Sequence, residues 1–190
     1  MTARCITLAV ALLAIVACQD ITRSTIATRE VTEDTVIVFP LRGSPLSAPT
    51  ALDLFQVEAM RLDQVGLKPD VAIDTSGSGV VLYPSQLIVD SDVLNTETGL
   101  LEVTSNFDSI PEALTSGYQD TAAVAVSVGE TVLVRAGNVC FGGFPGRDFF
   151  YSKLQLLEIT TSSGFRSARF RIRSNPNCGF RSFADGLPEF

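Results

Sequence analysis

Histidine is absent from this chain, which removes most of the side-chain chemistry open to a sequence of 190 residues. Neither a Ser-His nor a Cys-His nucleophile pair can be assembled, and a histidine-ligated zinc centre is equally closed off. Two carboxylate groupings could still act. Asp74, in the run Asp74-Thr75-Ser76-Gly77, could be half of an acid pair, but that chemistry needs a second carboxylate close enough to share one proton. No second copy of the run exists, and Ser76-Gly77-Ser78 between two apolar stretches reads as a hairpin turn. The stretch Asp90-Ser91-Asp92-Val93-Leu94-Asn95-Thr96-Glu97 gathers oxygen donors of the kind calcium takes. Leu94 stands where a donor is needed and no glycine bends the loop, so a solvated acidic loop is the expectation. These residues predict a protein that is not an enzyme, with no catalytic group and no metal.

What remains are candidate surfaces. Arg169, Arg171 and Arg173 alternate with Ala168, Phe170 and Ile172. A strand with a side-chain period of two would set the three guanidinium groups on one face and the apolar trio on the other. Such a face could dock phosphate or carboxylate, on an anionic lipid or an acidic glycan. The simpler expectation is a solvated face paired with the acidic half of the same protein. Residues 18–134 carry 5 basic and 17 acidic groups, a net −12, whereas residues 135–181 carry 8 and 2, a net +6. An acidic body with one basic region argues against nucleic acid as a partner. Nine of the 12 phenylalanines fall between positions 141 and 190. The Gly/Phe loop that starts at Cys140 and includes Phe141 and Phe144 is either an apolar recognition surface or a cover over the end of the core.

The first residues carry an address. Arg4 is followed by a weakly polar to apolar stretch through Ala17, the layout of a secretory signal peptide and too short to span a bilayer. The tetrad Ile15-Val16-Ala17-Cys18 resembles the lipobox of bacterial lipoproteins. That resemblance implies a diacylglyceryl thioether on Cys18, cleavage before it, and acylation of the new N-terminus. More than one acyl chain anchors stably. Gln19 after the cysteine implies the outer membrane, and an outer-membrane receptor becomes a possible partner. With Cys5 cleaved away and Cys18 acylated, only Cys140 and Cys178 remain, and two thiols in an exported chain are expected to form one disulfide.

The organisation expected is a signal peptide over 1–17, a lipidated polar tether over 18–33, and a single domain over 34–190. Strand patterns cover 34–40, 52–62, 70–75, 79–83, 100–104, 121–128 paired with 130–135 across Gly129, 149–159 and 167–173. Frequent Gly, Pro and Ser punctuation between short strands makes the fold class all-β: an antiparallel β-sandwich or barrel-like domain with one disulfide.

From about Asp70 onward the order of segments is similar to the HmuY-type haem-binding lipoproteins. The matching stretches are Asp70-Val71-Ala72-Ile73, Phe107-Asp108-Ser109-Ile110, Gly117-Tyr118-Gln119-Asp120, Glu130-Thr131-Val132-Leu133-Val134-Arg135 and Tyr151-Ser152-Lys153-Leu154-Gln155-Leu156. The resemblance implies an all-β domain on a lipid anchor. It also implies haem capture through paired histidines or methionines, but the mature chain offers a single methionine, Met60, and no histidine. Tyrosine can ligate haem iron, and nothing singles out Tyr83, Tyr118 or Tyr151. The expected function is therefore a non-enzymatic, lipid-anchored envelope protein that binds a ligand or partner. Haem or nutrient capture and a structural envelope component are the alternatives.

Overall fold

The computed structural model describes residues 27–64, 68–89, 97–137, 139–140, 149–162 and 164–188. Ten strands follow in order: β1 (Thr32–Val38), β2 (Ala51–Asp53), β3 (Glu58–Met60), β4 (Val71–Ser76), β5 (Gly79–Pro84), β6 (Thr98–Val103), β7 (Val124–Val126), β8 (Thr131–Ala136), β9 (Phe150–Ser162) and β10 (Phe165–Asn175). They form two five-stranded antiparallel sheets, ordered β1-β10-β9-β8-β6 and β3-β2-β4-β5-β7. The fold is the β-sandwich that the strand patterns predict.

Alternation drives the packing. Val36 and Val38 of β1 and Ala168, Phe170 and Ile172 of β10 point between the sheets. There they meet Leu52, Ile73 and Leu82 of the second sheet and Phe150, Leu154 and Leu156 of β9. Fully burying a side chain of this size stabilises by roughly 1.5–3 kcal/mol, so this layer carries most of the fold. The outer face of the first sheet is covered as well. Leu133 and Tyr151 lie beneath Ile110, Ala113, Tyr118 and Phe183, which belong to the segments before β7 and after β10. Gly99 of β6 makes this second layer possible. A Cβ there would lie 2.8 Å from Tyr118 Cβ and 2.9 Å from Arg135 Nε. The disulfide joins Cys140 to Cys178, with the Cα atoms 5.6 Å apart, tying the segment after β8 to the segment after β10.

Three local expectations change. The single strand over 52–62 is instead the hairpin β2–β3, with Ala51 opposite Met60. Asp53 causes the break: its carboxylate accepts from the N–H groups of Phe55 at 2.9 Å and Gln56 at 3.0 Å, closing a turn. Val57 completes that turn at φ +58°, costly for a β-branched residue, and its side chain is buried in the core that holds it there. Second, β7 and β8 are not a hairpin. Gly129 at φ +92° carries the chain across the sandwich, so β7 pairs with β5 in one sheet and β8 with β6 and β9 in the other. Third, the domain reaches back before position 34. Glu33 and Thr32 already pair with Arg173 and Ser174, and Asn177 Oδ1 accepts from the N–H groups of Thr28 at 2.8 Å and Arg29 at 3.1 Å. A polar, threonine-rich segment can hold to the sheet through its main chain, which composition does not reveal. Residues 18–26 of the expected tether lie outside the described residues.

Candidate functional site

The arginine alternation sits where the period of two requires. Ala168, Phe170 and Ile172 are buried, and Arg169, Arg171 and Arg173 stand on the other face of β10. Each guanidinium already faces a carboxylate of the same molecule. Arg169 meets Glu158 at 3.1 Å; Arg171 meets Glu33 at 2.7 Å and Asp108 at 2.9 Å; Arg173 meets Glu33 at 2.9 Å and Asp185 at 2.6 Å. An incoming anion would have to displace these partners. Burial pushes the Glu33 carboxyl up, but hydrogen bonds from Arg171 and Arg173 outweigh it and hold the group below its usual 4.5. The hydrogen bond from Arg171 likewise holds Asp108 low.

A pH dependence follows. Below about pH 4.5 the unfolded chain takes up a proton that folded Glu33 refuses. Stability from this group is complete above that pH and is lost as pH falls through it toward the depressed folded value. Glu33→Gln is expected to cost about 1 kcal/mol at pH 7, a solvent-screened value for a surface cluster. The gap from wild type should close toward pH 3 in urea unfolding series at stepped pH. A gap that stays constant with pH would show that ionised Glu33 adds nothing.

Lys153 lies under this cluster, only 4 % exposed. Its Nζ donates to the carbonyls of Phe107 at 2.6 Å and Ile110 at 2.9 Å, with the rings of Phe107 and Phe183 4.4 and 5.2 Å away. Burial, and then the neighbouring charge of Arg173, pull its pKa down. These contacts hold the covering segments to the sheet, which is a positioning task rather than chemistry.

A larger feature is the seam between β6 and β7. Each is the last strand of its sheet, so two free edges face one another on this side of the sandwich. Between them opens a recess of about 450 Å3 lined by Glu102, Val103, Asn106, Ala125, Glu130 and Thr131, among others, a volume within the range of ligand pockets. The upper edge of β6 is sealed. The side chain of Gln86 accepts from the N–H of Thr98 at 3.1 Å and donates to its carbonyl at 2.7 Å. Leu100 exchanges both main-chain bonds with Gln119, at 2.8 and 2.7 Å. The seal stops there. Glu102, one pleat further, is exposed although it shares a face with buried Leu100, because the second sheet no longer covers it. Glu130 is exposed and accepts from the N–H of Ser127 at 2.7 Å. Thr131 is 2 % exposed, and among the described residues its hydroxyl has no partner.

The remaining candidates are placed apart from this seam or lie outside what is described. Asp74 is on the β4–β5 hairpin and is held by Arg42 at 2.7 Å, a structural pairing. Cys18, Phe141, Phe144 and residues 90–96 of the acidic run lie outside the described residues. Among the described residues no group of acidic and cysteine side chains is arranged to hold a metal ion. Met60 is buried against Ala51 and Ala72, and Tyr118 and Tyr151 are buried against the outer face of the first sheet. Sequence reasoning missed the seam, because edges arise from strand order and not from any one segment. The one available signal was Glu102, a charge on the inward period of an otherwise apolar strand. No protein family, curated protein sequence or solved structure matches the chain.

Proposed function

We propose that this chain is a non-enzymatic binding protein held at the cell envelope, at the outer membrane, by lipid on Cys18, and that it binds its partner in the β6–β7 recess. The arginine strip is the weaker site, since its three cations are neutralised from within. The observation that carries the reading is where the recess lies. The chain enters the sandwich where β1 begins, and by register that is also where β6 and β9 begin and β8 and β10 end. The recess lies by Val103 and Thr131, at the other ends of β6 and β8. The six residues from Thr131 to Ala136 span roughly 17 Å of strand. Eight residues lie between Cys18 and Ala27, a reach of at most about 30 Å when extended. A lipid on Cys18 would therefore hold the end of the sandwich where β1 begins within about 30 Å of the bilayer, while the recess sits at the opposite ends of β6 and β8. No helix among the described residues is long and apolar enough to cross a membrane.

The test is fractionation of cells carrying wild type or Cys18→Ser, with mass spectrometry of the mature N-terminus. Wild type is expected wholly in the membrane fraction with an acylated first residue. Cys18→Ser should lose that association and carry no acyl mass. Equal membrane retention of the variant would remove the anchor from the reading.

A further inference from the structure

The geometry points to strand addition: the recess between β6 and β7 takes an extended, basic segment of a partner polypeptide, which pairs with the edge of β6 at Glu102. This rests on the reading that the recess is the binding site, and gives its occupant a chemistry.

Two observations converge. The first is backbone. In an antiparallel ladder the N–H and C=O groups of every second residue point away from the neighbouring strand. Leu100 turns its pair outward, to Gln119, and Thr98 turns its pair to the side chain of Gln86. Glu102 follows with the same orientation, and among the described residues nothing meets its outward N–H and C=O. Its exposed position leaves that pair open to a partner strand. Such an edge is a template for an added strand, whose main chain supplies affinity and whose alternate side chains supply specificity.

The second is charge. Among the described residues, Glu102 and Glu130 are the charged side chains lining the recess, and no lysine or arginine lines it. A basic side chain on the incoming strand meets complementary charge there, whereas an acidic one is repelled. An inward-facing charge on an edge strand also discourages self-association. If that were the whole task of Glu102, its removal would promote oligomers and leave peptide binding unchanged.

The test uses the full-length protein in detergent micelles and three fluorescent eight-residue peptides. One alternates Lys with Val, one alternates Glu with Val, and the third is the Lys/Val peptide N-methylated at every second residue so that one main-chain edge cannot donate. Anisotropy titration is expected to show the Lys/Val peptide binding at least tenfold more tightly than the other two. Glu102→Gln combined with Glu130→Gln should weaken it about tenfold. Glu102→Pro, which removes an outward N–H and no bond to β8, should weaken it similarly, with unfolding by urea confirming a folded variant. Equal binding of the N-methylated peptide would overturn strand pairing, since attraction would then need side chains alone. Equal binding of the acidic peptide, or no binding by any, would overturn the proposal outright. The anchor is judged separately. Peptide failure with a lipid-dependent membrane fraction leaves an anchored protein with another ligand, and peptide binding by a chain that needs no Cys18 leaves the recess without the anchor.

Discussion

Reduction of Cys140–Cys178, or the Cys140→Ser/Cys178→Ser pair, is expected to lower the free energy of unfolding by about 4 kcal/mol in the chain-entropy account. The bond closes a loop of 38 residues in sequence separation, and that loop contains all of β9 and β10, the longest strands of the sandwich. Opening it gives the unfolded chain conformations that the closed form forbids, while the folded sheets keep their ladder. There is a local effect too. Gly179 donates to the carbonyl of Phe149, and neighbouring Asn177 holds Thr28 and Arg29. Without the bond, the N-terminal residues should exchange their amide protons ahead of the core. Urea unfolding with and without reductant measures the first effect, and hydrogen exchange resolves the second. A loss under 1 kcal/mol would mean that the denatured chain already brings these ends together.

Replacing Lys153 with Met should cost about 2–4 kcal/mol, because two buried carbonyls lose their donor and each unmet group is worth roughly 1–3 kcal/mol. Methionine keeps an apolar stem of similar length, so the comparison isolates the ammonium group from the packing. The charge itself is a burden in this site, as the direction of its pKa shows, and relief of that burden limits the net loss. The sign with pH is opposite to that of Glu33. Between the depressed folded pKa and the usual 10.5, the unfolded chain binds more protons than the folded one. Wild-type stability relative to Lys153→Met therefore rises as pH climbs toward 10.5. Melting curves from pH 7 to 10 check both size and direction. A difference that shrinks with rising pH would mean that the cation, and not the donor geometry, holds the covering segment.

The two substitutions describe one design seen from different layers. The disulfide closes the loop that carries the long strands, and Lys153 fastens the segment after β6 to their outer face. With Arg171 and Arg173 joined to Glu33 and Asp108, the first sheet is tied down on that face. The opposite side of the sandwich, where β6 and β7 end their sheets, is left open over part of its length.

Much of this was legible residue by residue. Period two on β10 placed Phe170 inward and Arg171 outward, because a pleated strand allows no other alternation. Ser76-Gly77-Ser78 marked its hairpin, with Gly77 at φ +56°, since a left-handed turn residue is nearly a glycine property. The Cys140–Cys178 pair followed once Cys5 was expected to leave with the leader and Cys18 to carry lipid. Local chemistry decides such features, and a linear sequence contains all of it. Long-range choices were not legible. Residues 124–126 and 131–136 look like one hairpin, yet they serve different sheets, because strand partners are selected by burial of whole faces and not by the turn between them. Glu33 finds Arg171 across 138 positions, a pairing that side-chain charge allows and only chain topology brings about. The free edge at Glu102 exists because β6 and β7 come last in their sheets, and strand order is a property of the assembled sandwich rather than of any segment within it.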